Sequence, residues 1–360
     1  MSNIHKRIEV LLEASDNWLQ SDNHYLNDAI DRTVREGYFS FEDVKFAIEA
    51  IRERITKETL QNWAKRIGLN DENDASGQNV LCLHAGNLPL VGFQDALATL
   101  LSGARYTGKV SKKDPYLLPT FLNEIKNTAL WTDMDVQWTH RLSDFEDMQN
   151  DAIIFAGSES SVPGVKDAIK KWNLAKENSR YLIRTAHFSM AYFDENNPEL
   201  LQQLTSSILR YGGKGCRSVA VVVSPFHLDE VKQELSDHAK SFWIENPQQE
   251  APAPKLKQQY AYNEGIERNQ LWLDYFLLQE GGFELDQDFV CYWLQGDEST
   301  VAELADSYSD QLQSVYVTDE DPAIPGWEKR TELLAGAQQP PIDWKPDGVD
   351  TLEWLKAGSD

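Results

Sequence analysis

The stretch NVLCLHAGNLPLVGFQDALATLLSGARYTGKV (79–110) sets the rhythm of the chain. A short apolar run, Val80–His84, gives way to a helical pattern from Leu90 to Leu101. A second apolar run follows at Tyr106–Val110. The same alternation continues outward: a helix after Pro115, runs at Ala152–Phe155 and Tyr181–Ile183, and a helix near Val165–Trp172 between them. Short buried strands alternating with helices predict βαβ units and a parallel, doubly wound sheet. Ligands of such sheets sit at the carboxyl ends of the strands. The loops after Leu83, Val110 and Phe155 are therefore where binding groups are expected.

Before this stretch the first seventy residues read as helices. Phe41, Val44, Ile48, Ile51 and Ile55 recur at helical spacing behind Ser40 as N-cap, and a run from Thr56 closes at Gly68. The polar segment NDENDASG (70–77) marks a boundary. A second α/β stretch lies beyond residue 185: a strand at Ser189–Phe193, a helix over Pro198–Tyr211, a fully apolar strand at Val219–Val223 and a further helix. A Pro-rich connector (248–254), a helix over Tyr262–Gln279 and late strands at Phe289–Leu294 and Ser314–Val317 complete it. A short amphipathic end, Val349–Leu355, closes the tail.

The chain has 360 residues, 41% hydrophobic and 26% charged, which is the make-up of a folded protein with a sizeable core. Its 34 basic and 58 acidic side chains leave a net charge of −24. So acidic a surface repels phosphate backbones and argues against nucleic acid or an anionic membrane as partner. Any anionic ligand needs a local basic patch. The three cysteines, 82, 216 and 291, are widely spaced and fit neither a disulfide framework nor a metal site, so a reducing cytoplasm is expected and no metal. Charges at Lys6, Arg7, Glu9, Glu13 and Asp16 interrupt the first twenty residues. The longest uncharged stretch, Ala75–Gln94, is broken by Pro89 and three glycines, and neither segment reads as a signal core or a membrane span.

Several residues have the chemistry of a site. Cys216 sits in GGKGCR (212–217), where glycines let a ligand approach the backbone and Lys214 and Arg217 favour a thiolate. The position suits a side chain filling a tight turn, with a nucleophile as the alternative. Cys82 and Cys291 lie inside apolar runs and read as core. Asn87, in a strand-to-helix loop, is placed to donate to an oxyanion or to satisfy its own turn; His84 beside it reads as structural. Arg105, Lys109, Lys112 and Lys113 form a cluster free of acids up to Asp114, which suits a phosphate or ribose, or a solvated face. Gly157 and Ser158 in FAGS (155–158) would let a pyrophosphate approach a helix N-terminus, although the full dinucleotide spacing is missing. His187 is a candidate general acid or an ordinary hydrogen-bonded histidine.

Taken in this order, these pieces resemble the aldehyde dehydrogenase superfamily, and more closely the LuxC-type long-chain acyl-CoA reductases. The likeness runs through residues 84–115, FAGS (155–158), Arg184, RYGGKGCRSVAVVVSP (210–225) and the tail GAQQPPIDWKPDGVDTLEWL (336–355). The resemblance implies an α/β fold with a Rossmann-type cofactor domain (76–184) and an α/β catalytic domain (185–330). A helical N-terminal region (1–75) precedes them, and a tail (331–360) packs back on the body. It makes Cys216 the acyl-accepting nucleophile. Asn87 and the Cys216 amide become the oxyanion hole, Lys109 and Ser111 the contacts to the adenosine ribose, and Gly157 and Ser158 those to the pyrophosphate. Lys112 stands where the superfamily usually carries a glutamate that binds the ribose 2′-hydroxyl, so NADPH is expected rather than NADH. The glycine-flanked glutamate base of dehydrogenases is missing, which fits a reductase whose acyl-enzyme must survive until hydride arrives; the Glu-x-Phe-Gly-Pro motif that steadies the nicotinamide ribose is missing as well. The resulting expectation is reduction of a fatty acyl-CoA, or an acyl-protein thioester, to an aldehyde by a cytoplasmic homo-oligomer, a dimer or larger. The alternatives are a cofactor-independent acyltransferase or thioesterase using the same cysteine, and a non-catalytic member of the fold that binds a nucleotide or a partner.

Overall fold

A computed structural model describes residues 3–128, 130–131, 135–186, 188–247, 254–281, 283, 289–319, 324–327 and 330–358. The chain forms two compact units, Met1–Thr185 with Pro341–Asp360, and Ala186–Pro340.

The first unit begins with four helices: α1 (Asn3–Trp18), α2 (His24–Arg35), α3 (Phe41–Arg54) and α4 (Lys57–Arg66). Their starts follow from local chemistry. The Ser40 hydroxyl accepts the Asp43 N–H, and Thr56 and Thr59 bond reciprocally at the start of α4. Next come β1 (Asn79–Leu83), α5 (Phe93–Ser102), β2 (Arg105–Lys109), α6 (Leu117–Lys126), β3 (Val136–Thr139), β4 (Asn150–Ala156), α7 (Val162–Lys171) and β5 (Ala175–Arg184). The five strands form one all-parallel sheet in the order β3-β2-β1-β4-β5. Along β1, Val80 and Cys82 face the core that holds α5, while Leu81 and Leu83 face the core that holds Ile169 of α7. The connections leaving β1 and β4, which are neighbours, therefore run to opposite faces. That divergence opens a crevice at the carboxyl ends of these two strands. α5 is buried along its whole length, and Trp18 of α1 stacks on its Phe93 with ring centroids 5.7 Å apart.

The second unit holds β6 (Phe188–Tyr192), α8 (Pro198–Leu209), β7 (Val219–Ser224), α9 (Leu228–Glu245), α10 (Pro254–Gly265), β8 (Gln270–Leu273), β9 (Phe276–Glu280), β10 (Val290–Gln295), α11 (Glu298–Ser307), β11 (Leu312–Val317) and β12 (Thr331–Leu333). The sheet order is β12-β11-β6-β7-β10-β9-β8, with only β8 antiparallel to its neighbour. Val219 and Val222 of β7 pack under α8 and α9, whereas Val221 and Val223 face Val301 and Ala305 of α11.

Two features differ from the sequence pattern. The segment Tyr262–Gln279 is not one helix: α10 ends at Gly265, and a hairpin follows in which Leu271, Trp272 and Leu273 pair with Leu278, Leu277 and Phe276. A leucine- and aromatic-rich run fits a buried strand as readily as a buried helix. Backbone in the left-handed region at Glu267 (φ 54°) and Asp274 (φ 58°) breaks the helical path. The other is the pair of short edge strands β3 and β12, which had no expected counterpart. Residues 248–253 of the Pro-rich connector and His187 lie outside the described residues. Among the described residues no helix is long and apolar enough to cross a membrane.

The last helix, α12 (Thr351–Lys356), returns to the first unit. Asp350 caps it through Leu352 N–H and also accepts the Trp63 indole N–H at 3.0 Å. Arg184, buried at the end of β5, donates to Asp95 of α5 at 2.6 Å and to the Thr351 hydroxyl at 2.5 Å. The tail pattern of residues 336–355 is thus a set of anchors: the Gln94 amide bonds the Ile342 and Trp344 carbonyls, and Thr185 N–H bonds Asp347.

Candidate active site

In the first unit the sheet brings the expected binding residues to one edge. Asn87 is exposed in the loop 84–92 that leaves β1. Lys109 ends β2, and Ser111 and Lys112 follow it; Gly157 and Ser158 follow β4. All five strands being parallel, these loops share the carboxyl edge, and the first and last of them flank the crevice between β1 and β4.

The details are those of a tightly built edge. A Cβ on Gly86 would lie 2.3 Å from the Ser111 hydroxyl oxygen, so only glycine allows the loops after β1 and β2 to approach this closely. Lys109 is half-buried, and burial, helped by the neighbouring Lys112 ammonium, lowers its pKa. No described carboxylate forms an ion pair with either lysine. Gly157 N–H bonds the Arg184 carbonyl at 3.1 Å, and a Cβ on Gly157 would meet the Phe155 ring at 2.6 Å. The Ser158 hydroxyl bonds those of Ser160 and Ser161, just ahead of α7.

His84 is structural in form. It is buried against Gly92, its Nε2 lies 2.6 Å from the Tyr106 hydroxyl, and burial lowers its pKa to about 4. Cys82 is fully buried and its thiol is pushed well above its ordinary value, as expected of a core cysteine; Cys291 behaves alike.

Cys216 belongs to the second unit and lies at the other kind of edge. It sits in the turn just before β7, at the amino end of that strand. Tyr211, Gly212, Gly213 and Gly215 all have positive φ (57°, 67°, 72° and 112°), which is why glycine recurs here. At Gly212 there is also no room: a Cβ would lie 2.4 Å from the Phe289 ring. The Cys216 side chain is half-buried, and its carbonyl accepts the Ser189 hydroxyl at 2.8 Å. Lys214 places its ammonium 5.0 Å from the centre of the Phe289 ring. Arg217 is buried and donates to Glu332 at 2.7 Å, to the Ala337 carbonyl at 2.7 Å and to the Gly336 carbonyl at 3.1 Å. Its charge is shared between Glu332 and the Cys216 thiol, both of which it faces electrostatically, while it also pins the start of the tail. Neither Glu332 nor Asp114, a buried acid beside the lysine cluster, stood out in the sequence. A cleft of about 740 Å³ lies at the opposite, carboxyl edge of this sheet, lined by Glu280, Trp293, Gln295 and Glu303 among others, and does not include Cys216.

Comparison with solved structures places the fold. The chain is similar to aldehyde dehydrogenase 21 from Physcomitrella patens, with 12% identity and a TM-score of 0.69, over 99% of this chain and 85% of that one. It is also similar to a NAD-dependent benzaldehyde dehydrogenase from Corynebacterium glutamicum (12%, TM-score 0.65, 88% and 77%). A third is the AldH of Staphylococcus aureus (13%, TM-score 0.59, 89% and 77%). At such identities the likeness speaks for the aldehyde dehydrogenase-like fold alone. No curated protein matches the chain. The family model for acyl-CoA reductase (LuxC) matches residues 2–306, most of the chain. With that match over the first sheet and five of the seven strands of the second, the chain belongs to the LuxC family of acyl-CoA reductases, oxidoreductases that act on acyl and aldehyde groups.

Proposed function

We propose that the protein reduces a fatty acyl-CoA, or another acyl thioester, to an aldehyde with NADPH through an S-acyl intermediate on Cys216. The observation that carries the reading is the glycine turn of residues 212–216, whose positive-φ backbone holds a half-buried thiol at the start of a strand. The Cys216 thiolate attacks the thioester carbonyl, the CoA thiolate departs, and the acyl group remains on sulfur. The Asn87 amide and the Cys216 N–H serve the developing oxyanion. Collapse of the final tetrahedral adduct, after reduction, releases aldehyde and returns the thiolate.

The edge at Lys109, Ser111, Lys112, Gly157 and Ser158 fits a dinucleotide. It flanks a switch-point crevice, it offers a helix start, and its two lysines lack described acidic partners. Lys109 and Ser111 would hold the adenosine ribose, Lys112 a 2′-phosphate, and Gly157 and Ser158 the pyrophosphate. Bound there, NADPH supplies a hydride to the acyl carbon. The same reading takes residues 76–184 as the cofactor domain and 185–330 as the catalytic domain, and the enzyme as a cytoplasmic homo-oligomer.

Intact-protein mass spectrometry with a panel of acyl-CoAs tests this. An acyl adduct is expected on the wild type, absent from Cys216→Ala, and discharged with aldehyde release when NADPH is added. Loss of the nucleophile should lower turnover on the order of 10⁶-fold. An adduct that NADPH leaves in place would point instead to an acyltransferase or thioesterase, and no adduct with any chain length to a non-catalytic binder.

A further inference from the structure

The loop that carries Asn87 does not hold its shape by local chemistry alone. Leu90 has a positive φ of 59°, a conformation unfavourable for a side chain branched beyond Cβ, and it is buried. The group that fixes it comes from the next loop. Asp114 is buried and its Oδ2 accepts the Leu90 N–H at 2.8 Å; its Oδ1 is buried without a hydrogen-bond partner. Gly86, which has no room for a Cβ, and Leu90, which has left-handed backbone, thus bracket Asn87. Both are held by the segment Ser111–Asp114, one by close approach and the other by a hydrogen bond. A buried carboxylate with an unsatisfied oxygen is a costly way to secure a turn. Burial pushes the Asp114 carboxyl up to about 6, against the Leu90 and Leu117 backbone N–H groups that favour its charged form. A device of this kind persists where the surrounding structure must hold a strained backbone for a purpose.

We propose that Asp114 is a positioning residue for acyl transfer: by accepting the Leu90 N–H it holds the loop 84–90 in the shape that presents the Asn87 amide to the oxyanion. The inference rests on Asn87 being the oxyanion donor. Asp114 touches neither substrate nor cofactor and acts only through the loop. It also joins the loop of the acyl step to the loop proposed for the ribose, so a single carboxylate sets the spacing of the two.

The test reads the rate at which acyl-CoA loads Cys216 in single-turnover mass spectrometry without cofactor, which isolates the acyl step. Asp114→Ala and Asp114→Val both remove the acceptor, and valine keeps most of the volume without a buried charge. Each is expected to slow loading by about 10²-fold, the scale of an ångström-sized misplacement of a catalytic group. Asp114→Asn keeps an acceptor oxygen and is expected to load within about threefold of wild type. In an Asn87→Ala background, Asp114→Ala should add little, because both substitutions disable the same donor. Near-normal loading by a cooperatively melting Asp114→Ala or Asp114→Val overturns the proposal. So does failure of both to fold while Asp114→Asn folds, since Asp114 would then serve the fold. So, too, does a full additive loss in the double variant. Normal loading by Asn87→Ala alone would instead remove the oxyanion reading itself, which separates the two failures.

Discussion

The two sheets follow one construction and use it differently. In each, two neighbouring parallel strands send their connections to opposite faces: β1 to α5 and β4 to α7 in the first unit, β7 to α9 and β10 to α11 in the second. Each therefore opens a crevice at its carboxyl edge. In the first unit that edge gathers Asn87, Lys109, Ser111, Lys112, Gly157 and Ser158. In the second unit it holds a cleft with glutamates on its wall, while the thiol stands at the amino edge, ahead of β7. The comparison teaches that a rule about strand ends gathers the polar loops of the first unit but says nothing of where a half-buried thiol falls. A carboxyl-edge loop is shaped by the strand that precedes it and can be long and polar. An amino-edge turn must drop straight into a strand, which is why residues 211–215 need four positive φ values within five positions.

The units also anchor their halves of the tail alike, each with a buried arginine, and the sharpest break of the comparison is there. Arg184 meets Asp95 with both side chains under a tenth exposed, whereas Glu332, the partner of Arg217, is 34% exposed. Leaving Asp95 buried without its cation should cost about 3–5 kcal/mol. Arg184→Ala is thus expected to shift urea unfolding strongly. Arg217→Ala, whose partner turns to water, should cost less, although the Gly336 and Ala337 carbonyls also lose their donor. Equal losses would mean that exposure of the carboxylate does not set the scale. Next in size is Asn87→Ala, expected to slow Cys216 loading by ~10²–10³-fold. Stability should be untouched, because Asn87 is exposed. A rate within threefold of wild type would leave the carboxyl edge of the first unit as a cofactor edge only.

How much of this was legible before the structure can be judged residue by residue. In the first sheet β1 and β4 were readable because burial on both faces makes them continuous apolar runs, and α3 and α4 because Ser40 and Thr56 stand where caps must. The hairpin at Gln270–Glu280 was not, because Leu-Trp-Leu and Phe-Leu-Leu suit either buried element and only Asp274 between them hints at a turn. Cys216 was legible from its glycines. The fate of Arg217 was not: its carboxylate partner is 115 positions away, and no local pattern says which of 58 acids will meet it. Asp114 left a faint signal, an acid directly before Pro115 and three residues ahead of Leu117, where α6 begins. That pattern announces a helix start and conceals a second duty toward Leu90.

The smallest expected effect concerns the end of the first unit's edge proposed for the ribose, where the two lysines differ. Lys109 is half-buried and its pKa is lowered by burial and by Lys112, so its ammonium already lies in a poorly solvated, positive setting. An added phosphate dianion relieves that setting, whereas a bare 2′-hydroxyl does not. Lys112 is exposed, so its own contribution is screened and worth about 1 kcal/mol. Lys112→Glu replaces an attraction for the 2′-phosphate with a repulsion and offers an acceptor to a 2′-hydroxyl. The ratio of kcat/KM for NADPH over NADH should fall on the order of tenfold or somewhat more. Because the pair is at the surface, the shift should shrink in high salt, where the Debye length drops to about 3 Å. Steady-state kinetics with both cofactors at low and high ionic strength measures it. A wild type that prefers NADH would sink the assignment at once. An unchanged ratio in Lys112→Glu would move the phosphate contact to Lys109, the lysine that the fold holds in place rather than the one it leaves in water.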